Sequence, residues 1–255
     1  MINVKSKGEL ELMKEAGRLL AEVLDQLEGA CLPGVTTNDI DNLASRLMRD
    51  RNTISGFLGY NGFPKSLCIS VNDEVVHGIP GPRVIRDGDL VSLDCGLIHK
   101  GLWADSGRTV MVGEVSAEAR KLVEVTRRAL DAGIEKAVPG NRVGDISAAV
   151  QKVVEAGGFS VVRNFVGHGI GRNMHEDPQV PNFGVPGTGP LLKPGYALAI
   201  EPMVNAGTHE VEMLEDRWTI ITADRRLSAY FEHTVLITED GPVVSTTRST
   251  HGAAA

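Results

Sequence analysis

The chain has 255 residues, 42% of them apolar and 23% charged, enough to bury a sizeable core and close to an ordinary globular composition. That balance excludes a disordered or collagen-like chain, and a formal charge of −7 disfavours non-specific nucleic-acid binding. Cys31, Cys68 and Cys95 are too few and too scattered for a disulfide framework and lack CxxC spacing. Lys5, Glu9, Glu11, Lys14 and Glu15 interrupt any signal peptide, and no run approaches the ~18 apolar residues of a membrane span. A cytoplasmic protein with no membrane partner is expected.

Amphipathic helices open the chain. Ser6 with Glu9 reads as a capping box, followed by Leu10, Met13, Ala16, Leu20, Val23, Leu24 and Leu27 at helical spacing. Pro33-Gly34 stops this helix, and Thr36 with Asp39 starts another bearing Ile40, Leu43, Ala44 and Leu47. From Ser66 to Val112 short β-type runs alternate with Gly, Pro and Asn-Asp signals. The order then repeats: Ser116 caps a helix, Pro139-Gly140 stops it, and a further helix runs to Gly157-Gly158. β-type runs continue to about Ile237.

Residue-level matches support a duplication. PGxxxxDI occurs at Pro33–Ile40 and Pro139–Ile146, an offset of 106. IRDGDLVSLD, ending at Asp94, matches LLKPGYALAIE, ending at Glu201, an offset of 107. His-Gly-Ile recurs at 77–79 and 168–170, and Asp105 and Glu232 each open an apolar strand. Two copies of a helix pair plus a small antiparallel sheet imply a pseudo-twofold α+β fold. The half-sheets would join into one curved sheet with helices on its outer face. Asp94, Asp105, Glu201 and Glu232 would converge at its centre.

Singly, each of these acids reads as a solvated charge at a strand end. Together, ending or opening runs that look buried, they need a cation or a proton. His168, between glycines in GHGIG at 167–171, supplies a nitrogen donor. Carboxylates with one imidazole suit Mn, Fe(II), Co or Zn. Four acids exceed the need of one metal, so two ions bridged by Asp105 and Glu232 are expected, a pair able to generate hydroxide near neutral pH.

In order along the chain, VVHGIP, SLDCG, WADSGRTVMVG, GHGIGRNMHEDP, AIEPM and YFEHTVLIT resemble the motifs of type I methionine aminopeptidases, in metallopeptidase family M24. The resemblance runs from the first helix to about Thr238. It implies a pita-bread fold, with one catalytic domain over residues 1–240, pseudo-repeats at about 6–112 and 116–238, and a loose tail at 241–255. It implies removal of the initiator methionine from nascent polypeptides with a small second residue, by a hydroxide bridging two divalent ions. The ligands carried over are Asp94, Asp105, His168, Glu201 and Glu232, with Glu201 also passing the proton. His77 and His175 resemble the family histidines that contact the scissile amide and the developing oxyanion. Tyr60, Phe63, Cys68 and Trp218 resemble the methionine pocket, although aromatic residues and a cysteine also read simply as core. His99, His209, His233 and His251 receive no role beyond structure. A monomer is expected, with ribosome contact left open.

Two positions depart from the usual family pattern: Met174, where many members have an aromatic residue, and Tyr230, where Gln is common. Both are expected to bear on the pocket and not on the metals. Prolidases and aminopeptidase P resemble this fold but usually carry a long N-terminal domain. Type II enzymes carry a helical insertion that the 30 residues between Glu201 and Glu232 do not accommodate. A non-catalytic binding module on the same fold is the rival of another class. GHGIG as a nucleotide loop ranks last, since it lacks GxGxxG spacing. Because Ile2 is bulky, family specificity implies that Met1 is retained, which the intact mass of the purified chain checks.

Overall fold

The computed structural model describes residues 2–247. The first half comprises α1 (Lys7–Ala30), α2 (Thr37–Asp50), β1 (Ile54–Ser55), β2 (Cys68–Val71), β3 (Glu74–Val76), β4 (Leu90–His99) and β5 (Leu102–Met111). The second opens with α3 (Ala117–Lys136), α4 (Val143–Ala156), β6 (Ser160–Val161), β7 (Gly167–Gly169), β8 (Glu176–Val180) and β9 (Ala197–Ile200). It closes with β10 (Met203–Asn205), β11 (Val211–Met213), β12 (Ile220–Thr222), β13 (Ser228–Tyr230), β14 (Glu232–Thr238) and β15 (Gly241–Val244).

The helices begin where the caps demand. The Glu9 amide donates to Ser6 Oγ while the Ser6 amide donates to the Glu9 carboxylate, and Thr36 with Asp39 repeats the exchange. In the second half the Arg142 amide donates to Asp145 at 2.7 Å. The shared PGxxxxDI is therefore a helix-start device. Its glycine turns at φ +93° (Gly34) and +91° (Gly140), its aspartate caps, and its isoleucine is buried at Ile40 and Ile146. α1 lays Leu20, Leu24 and Leu27 against Leu93, Cys95, Leu97 and Ala104 of the central hairpin. Each such leucine contributes about 1.5–3 kcal/mol on burial. In the second half α3 and α4 cover β9 and β14 with Leu130, Ile146, Leu198, Ile200 and Val235.

The central sheet runs β1-β4-β5-β14-β9-β7-β8, with β2 on β4 and β15 on β14, and every pairing is antiparallel. The halves meet where β5 pairs β14, Gly107 opposite Glu232 and Ser106 opposite His233. This ladder is short, and hydroxyls reinforce it. The Asp105 amide donates to Thr234 Oγ1 at 2.9 Å, and that hydroxyl donates to the Asp105 carbonyl. Ser106 Oγ donates to the Glu232 carbonyl, and Thr109 Oγ1 to that of Tyr230.

Register makes one apparent repeat coincidental. If Asp94 corresponds to Glu201, then Ser92 corresponds to Ala199. Ser70 lies opposite the former and His168 opposite the latter. The counterpart of His168 is thus Ser70; His77 sits in a turn after β3, and the shared His-Gly-Ile is not part of the duplication.

The expectation of a loose tail from residue 241 also needs correcting. Residues Gly241–Val244 pair with Val235–Thr238 in the sheet, and Ser245 and Thr246 are buried. Thr246 Oγ1 meets His233 Nδ1 and accepts from the Thr234 amide. Polar composition suggested solvent, but these hydroxyls satisfy backbone groups at the seam. Residues 248–255, His251 among them, lie outside the described part.

A Cβ on Gly17 of α1 would collide with the Ser245 carbonyl, whereas one on Gly8 meets nothing within 4 Å. Gly17→Ala should therefore lower the melting temperature. Gly8→Ala, gaining only helix propensity, should leave it unchanged or add up to about 1 kcal/mol. Thermal denaturation of both variants checks this; an equally tolerated Gly17→Ala would contradict the packing.

Candidate metal centre and active site

The strand ladders bring the acids together. Asp94 on β4 lies opposite Gly107 on β5, which lies opposite Glu232 on β14. One row along, Gly96 lies opposite Asp105, Thr234 opposite Ala199, and Ala199 opposite His168. Cross-strand neighbours share a face of the sheet, so acids distant in sequence point into one volume. Asp105, His168 and Glu232 bring one donor atom each within 4.8 Å of one another. Glu201 directly follows β9, its carbonyl accepting from Asn182 Nδ2, and its Oε1 lies 3.6 Å from His168 Nε2. All five sequence-derived candidates are thus in one place.

Most of this cluster is dry. Asp105, His168 and Glu232 are 3%, 7% and 1% exposed. Asp94 Oδ1 and Asp105 Oδ1 are buried without a hydrogen-bond partner. An orphaned carboxylate oxygen is costly, and a cation is the partner that would remove the cost. His168 Nδ1 lies 2.9 Å from the Gly169 carbonyl, which can only accept, so Nδ1 carries the proton and Nε2 presents its lone pair. Hard oxygens plus one neutral imidazole nitrogen fit a divalent transition metal.

Beside the cluster lies a cavity of about 190 Å³ lined by Tyr60, Phe63, Cys68, His77, Asp94 and Trp218, together with Met174 and His175. The four expected pocket residues therefore line one wall set, and Phe63 meets Trp218 edge-to-face at 5.0 Å. Phe57 and Asn61 also line it and were not anticipated, although both fall in the Gly-rich stretch around Tyr60. Met174 does bear on the pocket, as a buried wall residue.

Tyr230 does not. Its ring lies over Gly107, where any Cβ would collide with it, and its hydroxyl donates to Glu232 Oε2 at 2.5 Å. The expectation that this departure leaves the metal ligands untouched is reversed. The contact depends on the gap that Gly107 leaves between strands, which only the strand register reveals.

The histidines sit at the mouth. His175 Nδ1 is 2.7 Å from the Tyr60 hydroxyl, and its ring is 4.4 Å from that of His168. His77 takes φ +61°, a left-handed conformation costing about 1–3 kcal/mol for a residue with a Cβ. Two bonds hold it there: the Gly78 amide donates to Ser70 Oγ, and the Ile69 amide to the Gly78 carbonyl. Burial, then the charge of His175, lowers His77 and His168 to about 4, so both are neutral at pH 7.

Burial raises all four acids, Asp105 to about 7. The charge of Asp105 pushes Asp94, Glu201 and Glu232 further upward. A folded pKa above the unfolded one means that the folded chain binds protons more tightly. That stability is complete at low pH and is lost as pH climbs, for Asp105 between its ordinary 3.8 and about 7. Metal-stripped protein should therefore melt lower at pH 7.5 than at pH 5, and Mn(II) should reverse the loss while releasing protons. Scanning calorimetry in chelator and titration in two buffers of different ionisation enthalpy check this; a pH-independent melting point would contradict it.

Residues 11–239 match the family described as Metallopeptidase family M24. Methionine aminopeptidase of Clostridium perfringens is 51% identical over 246 residues, covering 96% of this chain and 99% of that one. The crystal structure of methionine aminopeptidase from Rickettsia prowazekii superposes with a TM-score of 0.95 at 41% identity, covering 97% of this chain and 100% of that one. A prolidase from Pyrococcus horikoshii shares the fold at TM-score 0.75 and 21% identity, with 97% of this chain spanning 64% of it. The architecture is the pita-bread α+β fold, and the family is metal-dependent, in keeping with the donor set. Matched over nearly its whole length in sequence and fold, the chain belongs to metallopeptidase family M24, with the type I methionine aminopeptidases of bacteria.

Proposed function

We propose that this chain removes the initiator methionine from nascent polypeptides whose second residue is small. It would do so with two divalent ions that Asp94, Asp105, His168, Glu201 and Glu232 would hold. The observation that carries this reading is a dry donor cluster with two orphaned carboxylate oxygens beside a largely apolar cavity suited to one side chain. When bound, the ions supply Lewis acidity and lower the pKa of water toward 7.

The chain's own residues supply the rest. Glu201, placed directly after β9 with its Oε1 3.6 Å from His168 Nε2, accepts the proton that the attacking water loses and passes it to the departing amine of the cleaved peptide bond. His175, hydrogen-bonded to Tyr60, donates toward the oxygen that gains charge. His77, held neutral, contacts the scissile amide. Tyr60, Phe63, Cys68 and Trp218, with Met174, surround the methionine side chain, where a flexible thioether meets aromatic walls and a Met174 thioether that adapts to it.

Metal-reconstituted protein should release methionine from a Met-Ala-Ser peptide, and failure with each of Mn(II), Co(II), Fe(II) and Zn(II) would favour the non-catalytic reading. His175→Ala should lower kcat by about 10²–10³-fold with metal content unchanged. Asp94→Ala and Glu232→Ala should instead lower the bound metal, measured by atomic emission. Normal turnover in the first variant, or full loading in the other two, would overturn the assigned roles.

A further inference from the structure

Three neighbours in one strand row create an unusual gap. Asp94, Gly107 and Glu232 face one another across β4, β5 and β14, and the middle residue has no side chain. The ring of Tyr230 fills the space over that glycine, buried to 3% exposure. Its backbone is held from both sides: the Tyr230 amide donates to Thr109 Oγ1 at 2.8 Å, and Thr109 Oγ1 donates to the Tyr230 carbonyl at 2.9 Å. Thr109 in turn meets Ser92 Oγ at 2.8 Å. The phenol points along the gap, its ring over Gly107 and its hydroxyl on Glu232. Glu232 Oε2 accepts from its hydroxyl on one flank of the gap, and Asp94, opposite Gly107 on β4, forms the other flank.

From this geometry we infer that Tyr230 is a positioning residue of the metal centre, its hydroxyl an outer hydrogen-bond donor that orients Glu232 and braces it against Asp94 across the seam. The inference rests on the proposed role of these acids as ligands. A carboxylate oxygen has two lone pairs, so Glu232 Oε2 can accept from the phenol and still offer an electron pair to a cation. Such a donor fixes the carboxylate's direction before an ion arrives and lowers its freedom to rotate away. Partners of this kind change metal affinity by about 10–100-fold when removed. The ring itself is a spacer: it keeps water out of the glycine gap and sets the distance between the two acids.

The test uses the full chain stripped of metal, titrated calorimetrically with Mn(II), and the visible spectrum of its Co(II) form. Tyr230→Phe keeps the ring over Gly107 and removes the donor. It should retain the wild-type circular dichroism, bind Mn(II) about 10–100-fold more weakly, and shift the Co(II) bands. Tyr230→Gln, which restores N–H donors in the same gap, should bind Mn(II) more tightly than Tyr230→Phe. Unchanged affinity and spectrum in Tyr230→Phe, or a Gln variant no tighter than Phe, would overturn the donor role. Fe(III)-loaded wild type should lack a tyrosinate-to-iron charge-transfer band; such a band, lost in Tyr230→Phe, would overturn it in favour of direct ligation. If the wild-type chain binds no Mn(II), the metal reading itself fails, an outcome distinct from any of these.

Discussion

The fold is organised around carboxylates crowded into a dry seam between two half-sheets. Asp94 and Asp105 come from one half, Glu201 and Glu232 from the other, and burial alone pushes every one of them toward its neutral form. Like charges at such range repel strongly when water is excluded, so the arrangement persists only with protons or cations present. What holds the acids in place is the short β5–β14 ladder and the hydroxyls of Ser106, Thr109 and Thr234 that reinforce it. The outer helices, the cores beneath them and even the final strand β15 keep that seam closed. Stability is thus spent where binding is needed, a common feature of sites that await a ligand.

The duplication explains how a site of this kind arises from modest parts. Each half has a hairpin or strand end bearing one acid and a neighbouring strand bearing another. Antiparallel pairing of β5 with β14 sets Asp105 beside Thr234 and Glu232 beside Gly107. The symmetry is broken where chemistry requires it. The position equivalent to His168 is Ser70, so one side offers an imidazole while the other uses its hydroxyl to hold the Gly78 amide and the strained turn at His77. The cavity beside the acids likewise lies mostly against the first half, where the loop from Phe57 to Phe63 and Cys68 meet Trp218 from the β11–β12 region. One half therefore supplies most of the cavity wall and the other the nitrogen of the donor cluster.

Tyr230 illustrates what a linear reading misses. In sequence it stands two residues before Glu232, and adjacent alternate positions in extended chain point the same way. That much suggests proximity. Its partner Gly107 lies 123 positions earlier, and only the strand register reveals that a missing side chain there leaves room for the ring. Met174, by contrast, follows closely on His168 in a tight loop, and its place in the pocket wall agrees with its place in the motif.

Much was legible from the amino acids alone, and for a physical reason. Caps, glycine turns and apolar spacing are local, so the helix starts at Ser6, Thr36 and Ser116 and the repeated PGxxxxDI could be read without coordinates. The acids were legible because a charged residue ending a buried run is rare enough to mark a site. Tertiary structure decided what depends on register between distant strands: the counterpart of His168, the closure of the sheet by residues 241–244, and the contact of Tyr230 with Glu232. A strand's side chains alternate in a way that sequence displays, but which residue lies opposite which is set by packing of the whole sheet. The chemistry was therefore written in residue types, and its alignment in the pairing of two halves.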